Sequence, residues 1–120
     1  MRILFDQGTP VPLRKALPEH QVETAFERGW STLRNGDLIR QAELEGFEVF
    51  ITTDSNLRYQ QNLSQRSIAI VVLLSTSWPK IQKKLPAVVE AIRLIPPGGY
   101  SEGSEMVQKV YSIQNLSRLT

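Results

Sequence analysis

The sequence contains no cysteine among its 120 residues. This absence excludes disulfide bonds and thiolate metal sites, and it suits a reducing compartment. Long apolar runs are also absent, since the longest, residues 68–74, is far shorter than the roughly 20 residues that span a bilayer. The first residues are typical of a strand and not of a signal peptide. We therefore expect a cytoplasmic protein that does not associate with membranes.

The sequence also has little excess of positive over negative charge. The chain has 14 Lys and Arg against 12 Asp and Glu, a formal net charge of +2. Such a balance permits an acidic partner such as RNA without requiring one. Hydrophobic residues make up 41% and charged residues 22%, which is typical of a soluble globular domain, and the length favours one domain over two.

Short apolar runs alternate with amphipathic segments along residues 1–95. Predicted strands lie at residues 3–5, 21–25, 47–52 and 68–74. Predicted helices lie at residues 10–17, 37–45, 55–65 and 77–95. Alternating strands and helices predict parallel strands joined by right-handed crossovers. The fold class expected is therefore α/β, a three-layer sandwich with a mostly parallel central sheet of four to five strands.

The sequence Pro-Pro-Gly-Gly at residues 96–99 interrupts this pattern. We assign residues 1–95 to the α/β domain and residues 96–120 to a C-terminal extension. Residues 106–113 alternate between apolar and polar side chains, which suits an added edge strand, a partner-binding arm or a tag-like extension. These alternatives stay open at the level of sequence.

Two of the predicted strands each end in an aspartate, Asp6 and Asp54. In open α/β sheets, the carboxyl edge of the strands holds the ligand crevice where the strand order reverses. If the order is 2-1-3-4, strands one and three are neighbours about 4.8 Å apart, and both aspartates face one small volume. Two carboxylates this close must take up a proton or share a cation. Oxygen ligands without nearby His or Cys favour Mg²⁺ or Mn²⁺.

Three further residues are candidate ligands or neighbours of such an ion. Asp37 opens the helix between these strands, and Asn56 offers an amide oxygen two residues past Asp54. Thr52 brings a hydroxyl to the same edge. Each aspartate also has a simpler interpretation, because aspartate at a strand end or helix start often caps the following turn or helix.

Three segments carry a resemblance to a known family. They are MRILFDQGTPVPLRKAL, WSTLRNGDLIRQAELEGFEVFITTDSNL and IAIVVLL. Together they resemble the PIN-like domains, and more narrowly the small predicted nucleases related to toxins of bacterial toxin–antitoxin modules. The resemblance covers roughly the first 95 residues. Its motifs are the first-strand aspartate, the Gly-Asp at residues 36 and 37, and the Thr-x-Asp-x-Asn from Thr52 to Asn56.

The resemblance implies a metal-dependent ribonuclease. Asp6, Asp37 and Asp54 would be the catalytic residues and, with Asn56, the ligands of Mg²⁺ or Mn²⁺. The chain departs from the family at Gln7 and Asn56, where relatives often carry carboxylates, so a two-metal site is less well supplied than a single-ion site. The resemblance also raises RNA as substrate, an antitoxin protein as partner, and a homodimer.

Substrate contacts are expected from polar residues near the carboxyl edge. The candidates are Thr52, Arg34, Arg58, Ser75 and Thr76. Cations there would contact the phosphate backbone, and hydroxyls above a helix start would hold a phosphate or a metal-bound water. Trp30 and Tyr59 either stack on bases or pack within the fold, and packing is the more common role of such aromatics.

Two other functional classes remain compatible with the sequence. A receiver domain also places aspartates after its first and third strands and a Ser or Thr after its fourth, but Gln7 stands where a second acidic residue is expected. A non-catalytic PIN-like binding module would explain the reduced number of carboxylates.

Overall fold

One six-stranded sheet organises the protein, with the strand order β2-β1-β3-β4-β5-β6. The computed structural model describes residues 1–54 and 66–102, and the backbone alone of residues 110–112. The strands are β1 (Arg2–Phe5), β2 (Gln21–Thr24), β3 (Val49–Thr52), β4 (Ala69–Val72), β5 (Gly99–Glu102) and β6 (Val110–Ser112). The first five are parallel, and β6 runs antiparallel to β5. The α/β class and the predicted order 2-1-3-4 are thereby confirmed.

Four helices connect the strands within the described residues. They are a 3-10 helix (Val11–Ala16), α1 (Asn35–Leu44), α2 (Trp78–Lys83) and α3 (Leu85–Leu94). The helix expected to begin at Asp37 begins two residues earlier, at Asn35. The predicted helix over residues 55–65 lies outside the described residues. Among the described helices, none combines the length and the hydrophobicity that a membrane span requires.

The single helix predicted from Ser77 to residue 95 is wrong, because the chain forms two helices with a break at Lys84. Pro86 lies in the first turn of α3 and has no backbone N–H to donate to a preceding turn. Proline is tolerated in the first turn of a helix, where the N–H groups have no partner within the helix. The break at Lys84 therefore follows from Pro86. The prediction of one helix rested on the spacing of apolar residues alone and did not take this proline into account.

Both faces of the sheet are buried. Ile3, Phe5 and Ile51 belong to a cluster that also contains residues of the 3-10 helix, α2 and α3, whereas Leu4 and Phe50 belong to a cluster that contains residues of α1. Side chains alternate between the faces of a strand, so each of β1, β3 and β4 contributes to both clusters. The continuous apolar runs that predicted strands buried on both faces are explained by this arrangement.

The strand β5 lies in residues 96–120, which the sequence analysis assigned to a C-terminal extension. It pairs in parallel with β4, with Tyr100 beside Ile70, and Tyr100 is completely buried in the cluster that faces α1. The strand β6 falls within the alternating residues 106–113 and lies at one edge of the described sheet, with β2 at the other.

The start of β4 is held by Glu43 of α1 at the amino edge of the sheet. Its carboxylate accepts hydrogen bonds from the backbone N–H of Ser67 (2.6 Å), from the Ser67 hydroxyl (2.9 Å) and from the backbone N–H of Ile68 (3.3 Å), and it pairs with Arg66 (3.2 Å). Burial opposes ionisation of this carboxyl, but the hydrogen bonds from Ser67, Ile68 and Arg66 outweigh it and lower the pKa of Glu43 below 4.5. The ionised carboxylate therefore stabilises the fold.

The Glu43→Gln variant is expected to lose about 1–3 kcal/mol of unfolding free energy at neutral pH, because charge-assisted hydrogen bonds are lost. Between the unfolded and the folded pKa of Glu43, the unfolded chain binds a proton that the folded chain does not, so this contribution to wild-type stability is lost as the pH falls through the folded pKa. The difference between wild type and variant should therefore be largest at neutral pH and shrink in acid. Urea unfolding across this range measures it, with the exposed Glu19→Gln as control. A difference that stays constant with pH would contradict the assignment.

Candidate functional site

Asp6 directly follows β1, and its carboxylate is held by hydroxyl and amide donors. Oδ1 accepts from the backbone N–H of Thr9 (3.1 Å) and lies 2.7 Å from the Thr9 hydroxyl, while Oδ2 accepts from the Thr52 hydroxyl. The Thr9 hydroxyl also lies 2.9 Å from the carbonyl oxygen of Ile51, which ties the loop after β1 to β3. All three donors are neutral, and none of the ion pairs within the described ranges includes Asp6.

Thr52 connects the two predicted aspartates. It is completely buried at the end of β3, where its hydroxyl donates to Asp6 and accepts from the backbone N–H of Asp54 at 3.1 Å. The Asp54 carboxylate in turn accepts a hydrogen bond from the Asn35 amide at 2.5 Å. Because β1 and β3 are paired with Phe5 beside Ile51, Asp6 and Asp54 both lie at the carboxyl edge where the strand order reverses.

Asp37 does not join them as a third ligand. Its side chain is exposed in the first turn of α1 and pairs with Arg40 on the same helix. In residues 1–54 and 66–102, no group of three or more His, Asp or Glu side chains is positioned to hold a metal ion. The residue of the α1 start that reaches the edge is instead Asn35, because the helix begins there and Asp37 points elsewhere on its surface.

The remaining predicted substrate contacts lie at scattered positions. Arg34 is exposed at the residue before α1, and Thr76 is exposed after β4. Ser75 is half-buried and accepts a hydrogen bond from the backbone N–H of Ser77 at 2.9 Å, so it shapes the turn into α2. Ser77, the residue before α2, makes no side-chain cap at that helix. Asn56, Arg58 and Tyr59 lie outside the described residues.

Trp30 is a packing residue and not an exposed platform for bases. Its ring meets that of Phe47 edge-on at 6.1 Å between centroids, and the Arg28 guanidinium lies 4.7 Å from the Trp30 ring centroid. Arg2 lies 4.4 Å from the Phe47 ring centroid. These contacts close the core on the α1 side of the sheet.

The loop after β1 approaches β3 closely at Gly8, which the sequence reading overlooked. A Cβ atom added at Gly8 would overlap the Thr53 hydroxyl oxygen. The spacing Asp-x-x-Thr, from Asp6 to Thr9, is a recognisable turn signal in which a carboxylate accepts from the backbone three residues later. That signal, with the intervening glycine, would have identified this loop from sequence.

The Gly8→Ala variant is expected to lose about 1–2 kcal/mol of stability, because the added methyl displaces the loop or the Thr53 side chain. Combining it with Thr53→Ala removes the overlapping hydroxyl, so the double variant should lose less than the sum of the two single variants. Urea unfolding of the four proteins gives this coupling directly. Additive losses of stability would show that contact with the Thr53 hydroxyl is not what restricts position 8 to glycine.

A cleft of about 500 Å³ opens beside Asp6 between the 3-10 helix and the turn after β2. Two side chains that line it, Val11 and Phe26, are exposed apolar groups, with Phe26 76% exposed. Arg14 and Glu27 form a two-pronged ion pair across it, at 2.7 and 3.2 Å. The hydrogen bond from Arg14, followed by that from the Thr24 backbone, lowers the pKa of Glu27 below its usual value.

The donor set at the carboxyl edge fits one hard cation better than two. Mg²⁺ is commonly held by one or two carboxylates and keeps its remaining positions for water and substrate phosphate. Asp6 and Asp54 supply carboxylate oxygens, and Asp6 lacks an ion-pair partner in the described ranges. A three-carboxylate or two-ion site does not fit the described residues. Comparison of the chain with protein-family models, with curated proteins and with solved structures found no match.

Proposed function

We propose that this protein is a PIN-like, Mg²⁺- or Mn²⁺-dependent endoribonuclease whose site lies at the carboxyl edge of β1 and β3. The observation that carries the proposal is the chain of hydrogen bonds from the Asp6 carboxylate through the Thr52 hydroxyl to the backbone N–H of Asp54, at the point where the strand order reverses. Ligands of open α/β sheets bind at this point. A role as the toxin of a toxin–antitoxin pair, with an antitoxin protein as partner, rests on the family resemblance described above.

A bound divalent ion would lower the pKa of a water and stabilise charge on the phosphate oxygens. Asp6 and Asp54 would bind it, and Thr52 would hold the Asp6 carboxylate in position through its buried hydroxyl. Thr9 would fix the other oxygen of Asp6 and prevent it from turning away. Arg34 and Thr76, both exposed, and half-buried Ser75 are the described candidates for phosphate contacts.

The test compares cleavage of single-stranded RNA by wild type, Asp6→Asn, Asp54→Asn and Asp37→Asn with Mn²⁺ or Mg²⁺. We expect the first two variants to lose about 100-fold or more in cleavage rate, because each removes a ligand charge. Asp37→Asn makes the same change of charge on a side chain that pairs with Arg40, and it should stay within a few-fold of wild type.

Equal cleavage by wild type, Asp6→Asn and Asp54→Asn would refute the proposed roles. Equal losses in all three variants would show that Asp37 moves to the site when the ion binds. Removal of the ion with EDTA should abolish cleavage, and restored Mn²⁺ should recover it.

A non-catalytic binding module is the second candidate, and one observation favours it. The third carboxylate expected from the resemblance is not grouped with the other two in the described residues. Titration calorimetry with Mg²⁺ and Mn²⁺ separates the candidates, because the nuclease requires binding to wild type that Asp6→Asn weakens. RNA binding without cleavage, and without any binding of metal ions at millimolar concentration, would favour the module.

A further inference from the structure

The cleft beside Asp6 combines features that do not arise from packing the core. Six of its lining residues matter here, namely Asp6, Thr9, Val11, Arg14, Phe26 and Glu27. Phe26 and Leu44 are the most exposed of the large apolar side chains in the described ranges, each at 76%. Leu44 lies at the end of α1, whereas Phe26 lies on a concave surface next to a carboxylate. Folding therefore leaves an aromatic ring in water at the mouth of a cleft.

The position of the cleft follows from the sheet. The backbone N–H of Ala25 donates to the carbonyl oxygen of Phe5 at 2.8 Å, so the turn after β2 begins beside the end of β1. Asp6 and Phe26 each follow this bond by one residue. One cleft therefore contains both a carboxylate of the proposed site and an exposed aromatic ring.

The charges of the cleft favour a base over a phosphate. Arg14 is neutralised by its two-pronged pair with Glu27, and Asp6 adds a negative charge, so the cleft repels a phosphate that carries no cation. A nucleobase is flat and uncharged, stacks on an aromatic ring, and has donors and acceptors along its edge that suit both members of an Arg–Glu pair. The phosphate attached to that nucleotide would then lie toward Asp6.

We infer that this cleft binds one unpaired base of single-stranded RNA, with Phe26 as the stacking platform, next to the phosphate bound at Asp6 and Asp54. This inference rests on the proposed function and adds the substrate class, because base-paired RNA does not present a free base face to Phe26. Phe26 is a binding residue in this arrangement, and the chemistry belongs to the carboxylates.

The experiment measures the affinity of a fluorescently labelled single-stranded oligoribonucleotide by anisotropy, with Mg²⁺ present. The proteins carry Asp54→Asn so that the RNA stays intact, since Asp54 does not line the cleft. Adding Phe26→Ala should weaken binding about tenfold, because stacking of one base is lost. Adding Phe26→Tyr should keep the affinity within about threefold, and adding Leu44→Ala, at equal exposure, within about twofold.

An abasic oligonucleotide of the same length provides the second arm. Phe26→Ala should leave the affinity for this probe unchanged, because there is no base to stack. Equal affinities of the Phe26→Ala and Leu44→Ala proteins for intact RNA would overturn the inference, and so would equal losses on intact and abasic probes.

Two results separate this inference from the proposed function. If wild type cleaves RNA but Phe26→Ala binds it normally, the stacking site is refuted and the nuclease stands. If the Phe26-dependent affinity is found but wild type never cleaves, the nuclease is refuted and the protein is an RNA-binding module with this site. Absence of RNA binding by every protein, together with absence of cleavage by wild type, refutes both.

Discussion

The Tyr100→Ala variant is expected to lose about 3–5 kcal/mol of unfolding free energy, because it removes a fully buried aromatic ring from the core. Tyr100 lies in β5 beside Ile70 of β4 and belongs to the same cluster as Phe50. A loss of this size is a large part of the 5–15 kcal/mol that stabilises a typical domain. The result would show that residues beyond 95 belong to the α/β fold energetically.

The matched control is Tyr100→Phe, which keeps the ring and removes the hydroxyl that donates to Glu102 at 2.9 Å. It should lose about 1.5–3 kcal/mol, the usual net value of a hydrogen bond to a charged group. Urea unfolding followed by circular dichroism measures both variants. If Tyr100→Ala lost less unfolding free energy than Tyr100→Phe, packing of β5 against the core would not contribute to the stability of the fold.

The Thr52→Val variant is expected to lose about 2–3 kcal/mol, because an apolar group of the same shape replaces a buried hydroxyl with two hydrogen bonds. Oδ2 of Asp6 loses its donor, and the backbone N–H of Asp54 loses its acceptor. The same substitution should reduce metal-dependent RNA cleavage, since the Asp6 carboxylate is then held only at Oδ1, by Thr9, and its Oδ2 loses a fixed direction. Loss of a hydrogen-bond donor to a metal ligand typically costs about 10–100-fold.

Thr52→Ser separates the hydroxyl from the methyl group. It keeps both hydrogen bonds and should lose about 1 kcal/mol from the missing methyl, with cleavage close to wild type. Measuring the unfolding free energy and the cleavage rate of both variants shows whether the hydroxyl or the methyl group of Thr52 is responsible. A Thr52→Val protein as stable and as active as Thr52→Ser would mean that the link between Asp6 and Asp54 has no consequence.

The carboxyl-edge position of the candidate site was predictable from the sequence, and the complete set of its residues was not. Asp6 and Asp54 each follow a continuous apolar run, and such runs locate strand ends well. Asp37 is not grouped with them in the described residues, because the direction of a side chain at a helix start depends on where the first turn begins. That turn begins at Asn35, so Asn35 contacts Asp54, and Asp37 pairs with Arg40.

The cleft could not be predicted from the sequence, because it too depends on where a turn places its side chains. Phe26 follows a short half-buried strand, and its sequence position does not distinguish it from an aromatic residue of the core. Its exposure depends on the turn after β2, which the hydrogen bond from Gly29 to Phe26 closes at 3.0 Å with Gly29 at a φ of 77°. Trp30, which is nearby in sequence, turned inward onto Phe47 instead.

The sequence by itself determined the α/β class, the strands buried on both faces and the aspartates at the ends of β1 and β3. These follow from local periodicity and from the rule that alternating strands and helices run parallel. Only the tertiary structure decided that Tyr100 completes the core, that Thr52 joins Asp6 to Asp54, and that Phe26 stays in water. Tyr100 and the Thr52–Asp6 hydrogen bond depend on contacts between residues distant in the chain, and the exposure of Phe26 depends on how pairing of β2 with β1 places the turn that follows β2. No local pattern encodes such pairing.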